Sequence, residues 1–133
     1  RKKLLMLSSM HFLGQSYMLR SSVIGNLRFP NDMTHCEDLA FYLSVTTRKV
    51  CKTAVVNDEI YFYLLTESSA MSNLEGLSYG YLQYFQRSDV ASVGSWLCAF
   101  IGKFRAAKAI FLSWFRRGKP IAACSWALRV LCS

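Results

Sequence analysis

Apolar side chains recur every three or four positions along much of the second half of the sequence. From residue 74 to about residue 87 they share one side of a predicted helix. From Trp96 onward large apolar residues repeat at the same spacing, and Gly118 is expected to end that helix. Pro120 then occupies the preferred first position of another helix. The pattern therefore predicts three helices after residue 73.

The first part of the chain contains shorter predicted elements. Residues 22–26 favour a short helix, and Thr34 with Glu37 has the spacing of a capping box, which predicts a helix from Thr34 to about residue 47. Three segments have the alternating, β-branched or aromatic residues of strands: 15–20, 49–56 and 60–65. A chain of 133 residues suffices for one modest domain.

Charge is distributed unevenly along the sequence, whose formal net charge is +8. Residues 1–90 hold nine Lys/Arg and eight Asp/Glu, a balance of +1, whereas residues 91–133 hold seven Lys/Arg and no acid, a balance of +7. This shift predicts two parts, residues 1–90 and a basic amphipathic helical tail at 91–133. Neither tail helix offers about twenty uncharged residues, so neither is expected to span a bilayer.

The cysteines and the first residues bear on the cellular compartment. The five cysteines are widely spaced and include no Cys-x-x-Cys pair, which argues against zinc and favours reduced thiols in the cytosol. The sequence opens at Arg1 as if in the middle of an element, so we expect a truncated chain and not a signal peptide.

Five short motifs follow one another between residues 17 and 72: YMLRS (17–21), LRFP (27–30), EDLAF (37–41), IYFY (60–63) and TESSAMS (66–72). Their order and spacing resemble the second half of inverting family 2 glycosyltransferases with the GT-A fold, over roughly residues 10–86. The resemblance implies an α/β fold in which residues 1–90 are the carboxy-terminal part of a Rossmann-like, mixed-sheet catalytic domain. The nucleotide-binding half would then be missing.

The acidic pair carries the chemistry that the resemblance implies. Inverting transfer needs a carboxylate that takes the proton of the acceptor hydroxyl as that hydroxyl attacks C1 of the sugar. By similarity, Asp38 would be this base and Glu37 would orient the loop or the acceptor. A helix N-terminus stabilises negative charge and would keep the carboxylate ionised. The alternative is that Glu37 only caps with Thr34 and that Asp38 is an ordinary first-turn acid.

Three further residues are candidates for substrate binding. Arg20 ends a predicted strand, where ligand-facing residues of open α/β sheets lie, and would reach acceptor or phosphate oxygens. His35 stands beside the acidic pair and would contact acceptor or diphosphate. Cys36 takes a position where the family often has a small residue such as glycine. The alternatives are a surface charge for Arg20 and a solvated loop residue for His35.

Two departures from the family bear on donor binding. No Asp-x-Asp occurs in the chain, so the Mg²⁺ or Mn²⁺ ion would be held mainly by the missing half, and no metal ligand is assigned here. Leu64 stands where the family has an arginine that would pair with the donor diphosphate. We therefore expect the isolated chain to be inactive and to bind no nucleoside-diphosphate sugar tightly.

The tail leaves two main interpretations. Helices with Trp and Phe on one face and Lys/Arg on the other lie in membrane interfaces, and the resemblance implies a saccharide or lipid-linked acceptor at the cytoplasmic, inner face of a bacterial membrane. Alternatively, the apolar residues pack on the catalytic domain. No nucleic-acid module is visible, so no nucleic-acid partner is predicted. The rival function is a non-catalytic, membrane-associated helical interaction protein that uses this tail.

Overall fold

The computed structural model describes Leu7 and residues 18–48, 72–87 and 96–133. The regular elements of these residues are helices, which we number in chain order: α1 (Ser21–Ile24), α2 (Glu37–Arg48), α3 (Leu74–Gln86), α4 (Trp96–Arg116) and α5 (Pro120–Leu131). Within the described ranges there is no strand.

The α/β prediction, as the carboxy-terminal part of a GT-A domain, is wrong for this structure. The described residues bury apolar helix faces against one another and contain no sheet. The predicted strand at 15–20 reaches the described range only at residues 18–20, which form no strand and lead into α1. A short alternating segment becomes a strand only where a neighbouring strand accepts its backbone hydrogen bonds. The predicted strands at 49–56 and 60–65 lie outside the described residues.

Helix α3 lies against three of the other helices. The side chain of Asn73 accepts a hydrogen bond from the Gly76 N–H at 3.0 Å, which caps the first turn. Leu74, Tyr84 and Phe85 are buried along its length. The periodicity of the sequence predicted this helix within one residue at its end. Its central position follows from the contacts with α2, α4 and α5.

The two tail helices and the boundary between them at Gly118 and Pro120 were also predicted from sequence, and in the structure they form a hairpin. Gly118 has a φ of 71°, a left-handed conformation that glycine adopts without strain, and Pro120 is the first residue of α5. The helices pack through a face of α4 that repeats every four residues: Cys98, Gly102, Ala106 and Ile110. Because most of these side chains are small, α5 approaches closely with Ala123, Trp126 and Val130 buried.

A buried serine joins α3 to α4. The Ser78 hydroxyl donates to the Leu74 carbonyl at 2.6 Å and accepts from Trp114 Nε1 at 3.1 Å. We expect Ser78→Ala to lower the free energy of unfolding by about 1–2 kcal/mol, because the indole N–H loses its acceptor. Urea titration would measure this, with Ser125→Ala on the exposed side of α5 as control. Equal stability of the two variants would contradict the assignment.

Candidate functional site

The backbone turns sharply at Cys36, immediately before α2. Cys36 has a φ of 61°, and its carbonyl accepts the first hydrogen bond of the helix from Ala40 at 3.1 Å. The predicted capping box is therefore wrong, because a left-handed residue cannot continue a helix that starts after Thr34. The Thr34 hydroxyl instead lies 3.1 Å from Nδ1 of His35, and α2 begins at Glu37. A positive φ also explains physically why glycine suits position 36.

One face of α3 holds the loop at residues 31–36 in place. We call it the loop-contacting face, and its members are spaced four, three and four residues apart: Gly76, Gly80, Gln83 and Arg87. The two glycines lie directly against His35. A Cβ atom on Gly76 would stand 2.3 Å from the imidazole Cε1, and one on Gly80 would stand 2.6 Å from the His35 carbonyl oxygen. Glycine is thus required for this close approach.

The other half of the loop-contacting face is polar. Gln83 Nε2 donates to the Asp32 carbonyl at 3.3 Å, and Arg87 Nη1 lies 3.6 Å from Oδ1 of Asp32. Because both groups are solvent-accessible, the ion pair adds little stability. The ion pair and the glycine contacts together hold the loop at residues 31–36, which leads directly into α2.

Asp38 lies half-buried in the first turn of α2. Its Oδ1 accepts a hydrogen bond from the Leu39 N–H at 2.7 Å. Burial raises the pKa of the Asp38 carboxyl; the Leu39 N–H opposes this, while the neighbouring negative charge of Glu37 adds to it. The loss of water around the carboxyl thus affects its pKa more than the Leu39 hydrogen bond does, and the expectation that the carboxylate is ionised near neutral pH stays a prediction.

This raised pKa predicts how stability depends on pH. Below the ordinary pKa of 3.8 the carboxyl is protonated in both the folded and the unfolded chain. As the pH rises from there to the folded-state pKa, the unfolded chain ionises at this position before the folded chain does, so stability falls until both chains carry the charge that burial disfavours. Asp38→Asn removes this charge and is expected to raise the melting temperature at pH 7, with the gain vanishing near pH 3. Thermal unfolding of both proteins across that range measures it, and a less stable Asn variant at pH 7 would contradict the prediction.

Tyr81 of α3 is a neighbour of the acidic pair that sequence reasoning placed only on an apolar helix face. Burial raises the pKa of Tyr81 to about 12, and electrostatic interactions with Cys36 and Asp38 act in the same direction. Burial also raises the pKa of the Cys36 thiol, as do the charges of Asp38 and Glu37. The phenol and the thiol are therefore both protonated at neutral pH. The sequence signal for Tyr81 was a hydroxyl on an otherwise apolar face, and only packing gave it a partner.

The structure brings some of the predicted site residues together and leaves one apart. Glu37 and Asp38 start α2, and Cys36 directly precedes them with its side chain buried. His35 lies in the loop before α2 and packs against Gly76 and Gly80 of α3, so its position is set by these glycines. Arg20 is exposed, precedes α1 and makes no side-chain hydrogen bond that caps this helix.

A concave surface opens elsewhere, at the start of α5. This open groove has a volume of about 580 Å³ and is lined by residues 118–122, Ser125, Trp126 and Arg129. None of the five predicted site residues lines it. The acidic pair is therefore separate from this groove, and its own surroundings are the loop, α3 and the first turn of α2.

The described residues do not assemble a metal site. Among them, no three His, Cys, Asp or Glu side chains lie close enough to share a metal ion. The Mg²⁺ or Mn²⁺ ion that the resemblance implies stays a prediction.

In the part of the chain that the structure describes, none of the helices combines the length and the apolar character that crossing a bilayer requires.

Comparison with known proteins adds no family to this picture. No family model matches the sequence, and neither a curated protein nor a solved structure shows a significant match. The similarity to family 2 glycosyltransferases therefore stays a prediction that rests on the five motifs.

Proposed function

We propose that this chain takes part in sugar transfer from a nucleoside-diphosphate sugar to a hydroxyl group, with inversion at C1 and Asp38 as the proton acceptor. The observation that carries the proposal is the half-buried Asp38 carboxylate, whose pKa is raised while the Leu39 N–H holds one of its oxygens. A carboxylate with these properties takes up a proton more readily than an exposed one near neutral pH.

The reaction needs one proton transfer and one displacement. The acceptor oxygen attacks C1 of the donor sugar, and the bond from C1 to the diphosphate oxygen breaks. Its electron pair leaves with the nucleoside diphosphate, and the hydroxyl proton moves to the carboxylate of Asp38. Attack from the face opposite the leaving group inverts the configuration at C1. No step is assigned to a metal ion, because the described residues offer no set of ligands for one.

The neighbouring residues support the carboxylate in different ways. Glu37 adds a negative charge that favours the protonated form of Asp38. Tyr81 keeps its proton and lies close enough to Asp38 to interact with its charge. His35 acts as a positioning residue, because its contacts with α3 determine where α2 begins.

The substrate class rests on the ordered motifs and not on the fold. Functions belong to sites that can be carried by more than one architecture, so the absence of a sheet from the described residues leaves the acidic pair available for this chemistry. The motifs favour a saccharide or lipid-linked acceptor. We place the reaction in the cytoplasm, at the inner face of the cell membrane, as part of the same proposal.

The test is a transfer assay on the longest open reading frame that contains this sequence. The protein is incubated with uridine-, guanosine- and thymidine-diphosphate sugars and a panel of saccharide and lipid-linked acceptors. Proton NMR of the product should show an inverted anomeric configuration. A product with retained configuration, or no transfer with any donor, would refute the proposal.

A non-catalytic interaction protein is the second candidate, and the outward-facing apolar residues of α4 favour it. On that alternative Asp38 serves only the start of α2. Sugar transfer that depends on Asp38 would exclude the purely non-catalytic interpretation.

A further inference from the structure

Helix α4 carries a continuous row of exposed positions on the side away from α5. The row runs at spacings of three and four residues: Leu97, Phe100, Phe104, Lys108, Leu112 and Phe115. Each of its five apolar side chains is between 38% and 55% exposed. The residues that α4 buries are mostly smaller, such as Gly102 and Ala106. Over 21 residues such a row is about 30 Å long. Contiguous exposed apolar patches of this kind mark interaction surfaces.

Cations lie within and beside this row. Lys108 occupies its middle position, and Arg105 and Arg116 each follow a phenylalanine of the row by one residue, about 100° further around the helix. All three are exposed. The outward surface of α4 therefore combines an apolar strip with positive charge along one border.

The remaining cations of the tail make contacts within the chain. The Lys103 ammonium donates to the carbonyl of Ser133, and Arg117 donates to the Ser72 carbonyl at 3.0 Å. Lys119 lies 5.5 Å from the Trp114 ring centre, and the Arg129 guanidinium lies 5.0 Å from that of Trp126. Lys108 and Arg116 take part in none of these contacts, and both are exposed, so their charges are available to a partner of α4.

The positive charge of the tail favours an anionic partner for this surface over a second copy of the chain. A second copy would bring another tail with seven cations and no acid against the first, and like charges repel. A suitable partner must carry negative charge, to pair with the cations, and must also accept the phenyl and leucyl side chains of the row. The interface of an anionic phospholipid bilayer has this composition.

We propose that the α4 row docks on anionic membrane surfaces, with α4 lying parallel to the bilayer. The five apolar side chains enter the boundary between headgroups and acyl chains, to a depth of roughly 5–10 Å. The Lys108 stem runs along the phenyl rings while its ammonium reaches the phosphates. This surface is independent of the proposed reaction, so Asp38→Asn is expected to bind vesicles as the unchanged chain does.

Vesicle co-sedimentation of the whole chain tests the docking surface. We expect binding to phosphatidylcholine vesicles that contain phosphatidylglycerol and little binding to pure phosphatidylcholine, with weaker binding at high salt because the charges are screened. The indole of Trp96, at the start of α4, is 78% exposed and should shift its emission to shorter wavelength on binding. The Trp96→Phe variant identifies that part of the signal.

Matched variants separate the row from general charge and hydrophobicity. Lys108→Gln with Arg116→Gln should weaken partitioning about 20- to 30-fold, at about a fivefold loss for each charge. Arg20→Gln with Arg28→Gln also removes two positive charges, but from exposed residues outside the tail, and should change vesicle partitioning little. Phe104→Ser should weaken binding about tenfold, whereas Met18→Ser, at an 88% exposed position, should not.

Three results would overturn the proposal. Equal binding to both kinds of vesicle, or none to either, would show that anionic lipid is not recognised. Dimerisation in light scattering that Phe104→Ser abolishes would assign the row to a second copy. Equally tight binding of a single-stranded oligonucleotide, lost in the same variants, would assign it to nucleic acid.

Discussion

Replacing Asp38 by Asn is expected to lower the rate of sugar transfer by about 10²- to 10⁴-fold, the contribution of a positioned general base. The amide keeps an oxygen that accepts the Leu39 hydrogen bond, so the start of α2 should be unchanged. What the variant loses is the ability to take up the hydroxyl proton. Because Asp38 is expected to act on the acceptor, donor binding should stay the same while kcat falls.

Glu37→Gln is the matched control for this prediction. It also replaces a first-turn carboxylate of α2 by an amide, one position away, and leaves Asp38 in place. Its expected effect is a rate within about tenfold of the unchanged protein, with the rate profile shifted to lower pH because a charge that raises the Asp38 pKa is gone. Steady-state kinetics at several pH values measure both variants. Near-normal transfer by Asp38→Asn would remove Asp38 from the mechanism.

Gly80→Ala should be the most destabilising single methyl addition on the loop-contacting face. The new Cβ would lie 2.6 Å from the His35 carbonyl oxygen and 2.8 Å from its carbonyl carbon, so the backbone of the loop must shift. Overpacking of this kind lowers the free energy of unfolding by about 1–3 kcal/mol, and we expect the upper end because backbone atoms cannot rotate away. Urea denaturation followed by circular dichroism gives the value.

Gly76→Ala provides the comparison, because the three atoms nearest its Cβ would belong to the side chains of His35 and Asn73. Those groups can rotate, so the loss should be smaller. In a His35→Ala background, the imidazole is absent and the cost of Gly76→Ala should fall. The cost of Gly80→Ala should persist there, since the backbone carbonyl of residue 35 remains. A Gly80→Ala variant as stable as the unchanged protein would show that α3 does not touch the loop as described.

The helices that were predicted correctly have local determinants. Helix α3 has an apolar period and ends where that period ends, while Gly118 and Pro120 define the turn between α4 and α5 through their own backbone preferences. Such features act within a few residues, so they can be recognised without knowledge of the rest of the chain.

The failed predictions involve competition between local and distant interactions. Thr34 and Glu37 match a capping box, yet the contact of His35 with α3 and the left-handed Cys36 delay the helix to residue 37. The strand pattern that ends at Arg20 gains no partner among the described residues, and α1 follows it. The α/β expectation depended on such pairing and is overturned.

The candidate site also has features that the sequence shows and features that only packing determines. The acidic pair was recognisable from its sequence and its place in an ordered set of motifs. Its burial, the direction of the Asp38 pKa and the proximity of Tyr81 depend on a helix about forty residues further along the chain. No local pattern specifies such a neighbour.

By itself, the amino-acid sequence determined where α3, α4 and α5 form, because helix period, glycine and proline act over single turns. It also determined the concentration of positive charge in the tail. Tertiary structure alone decided which face of α4 turns inward. Small side chains at Cys98, Gly102 and Ala106 let α5 pack closely, and the larger apolar residues were thereby left outside. Close packing rewards the face that fits its neighbour and not the face with the larger apolar area.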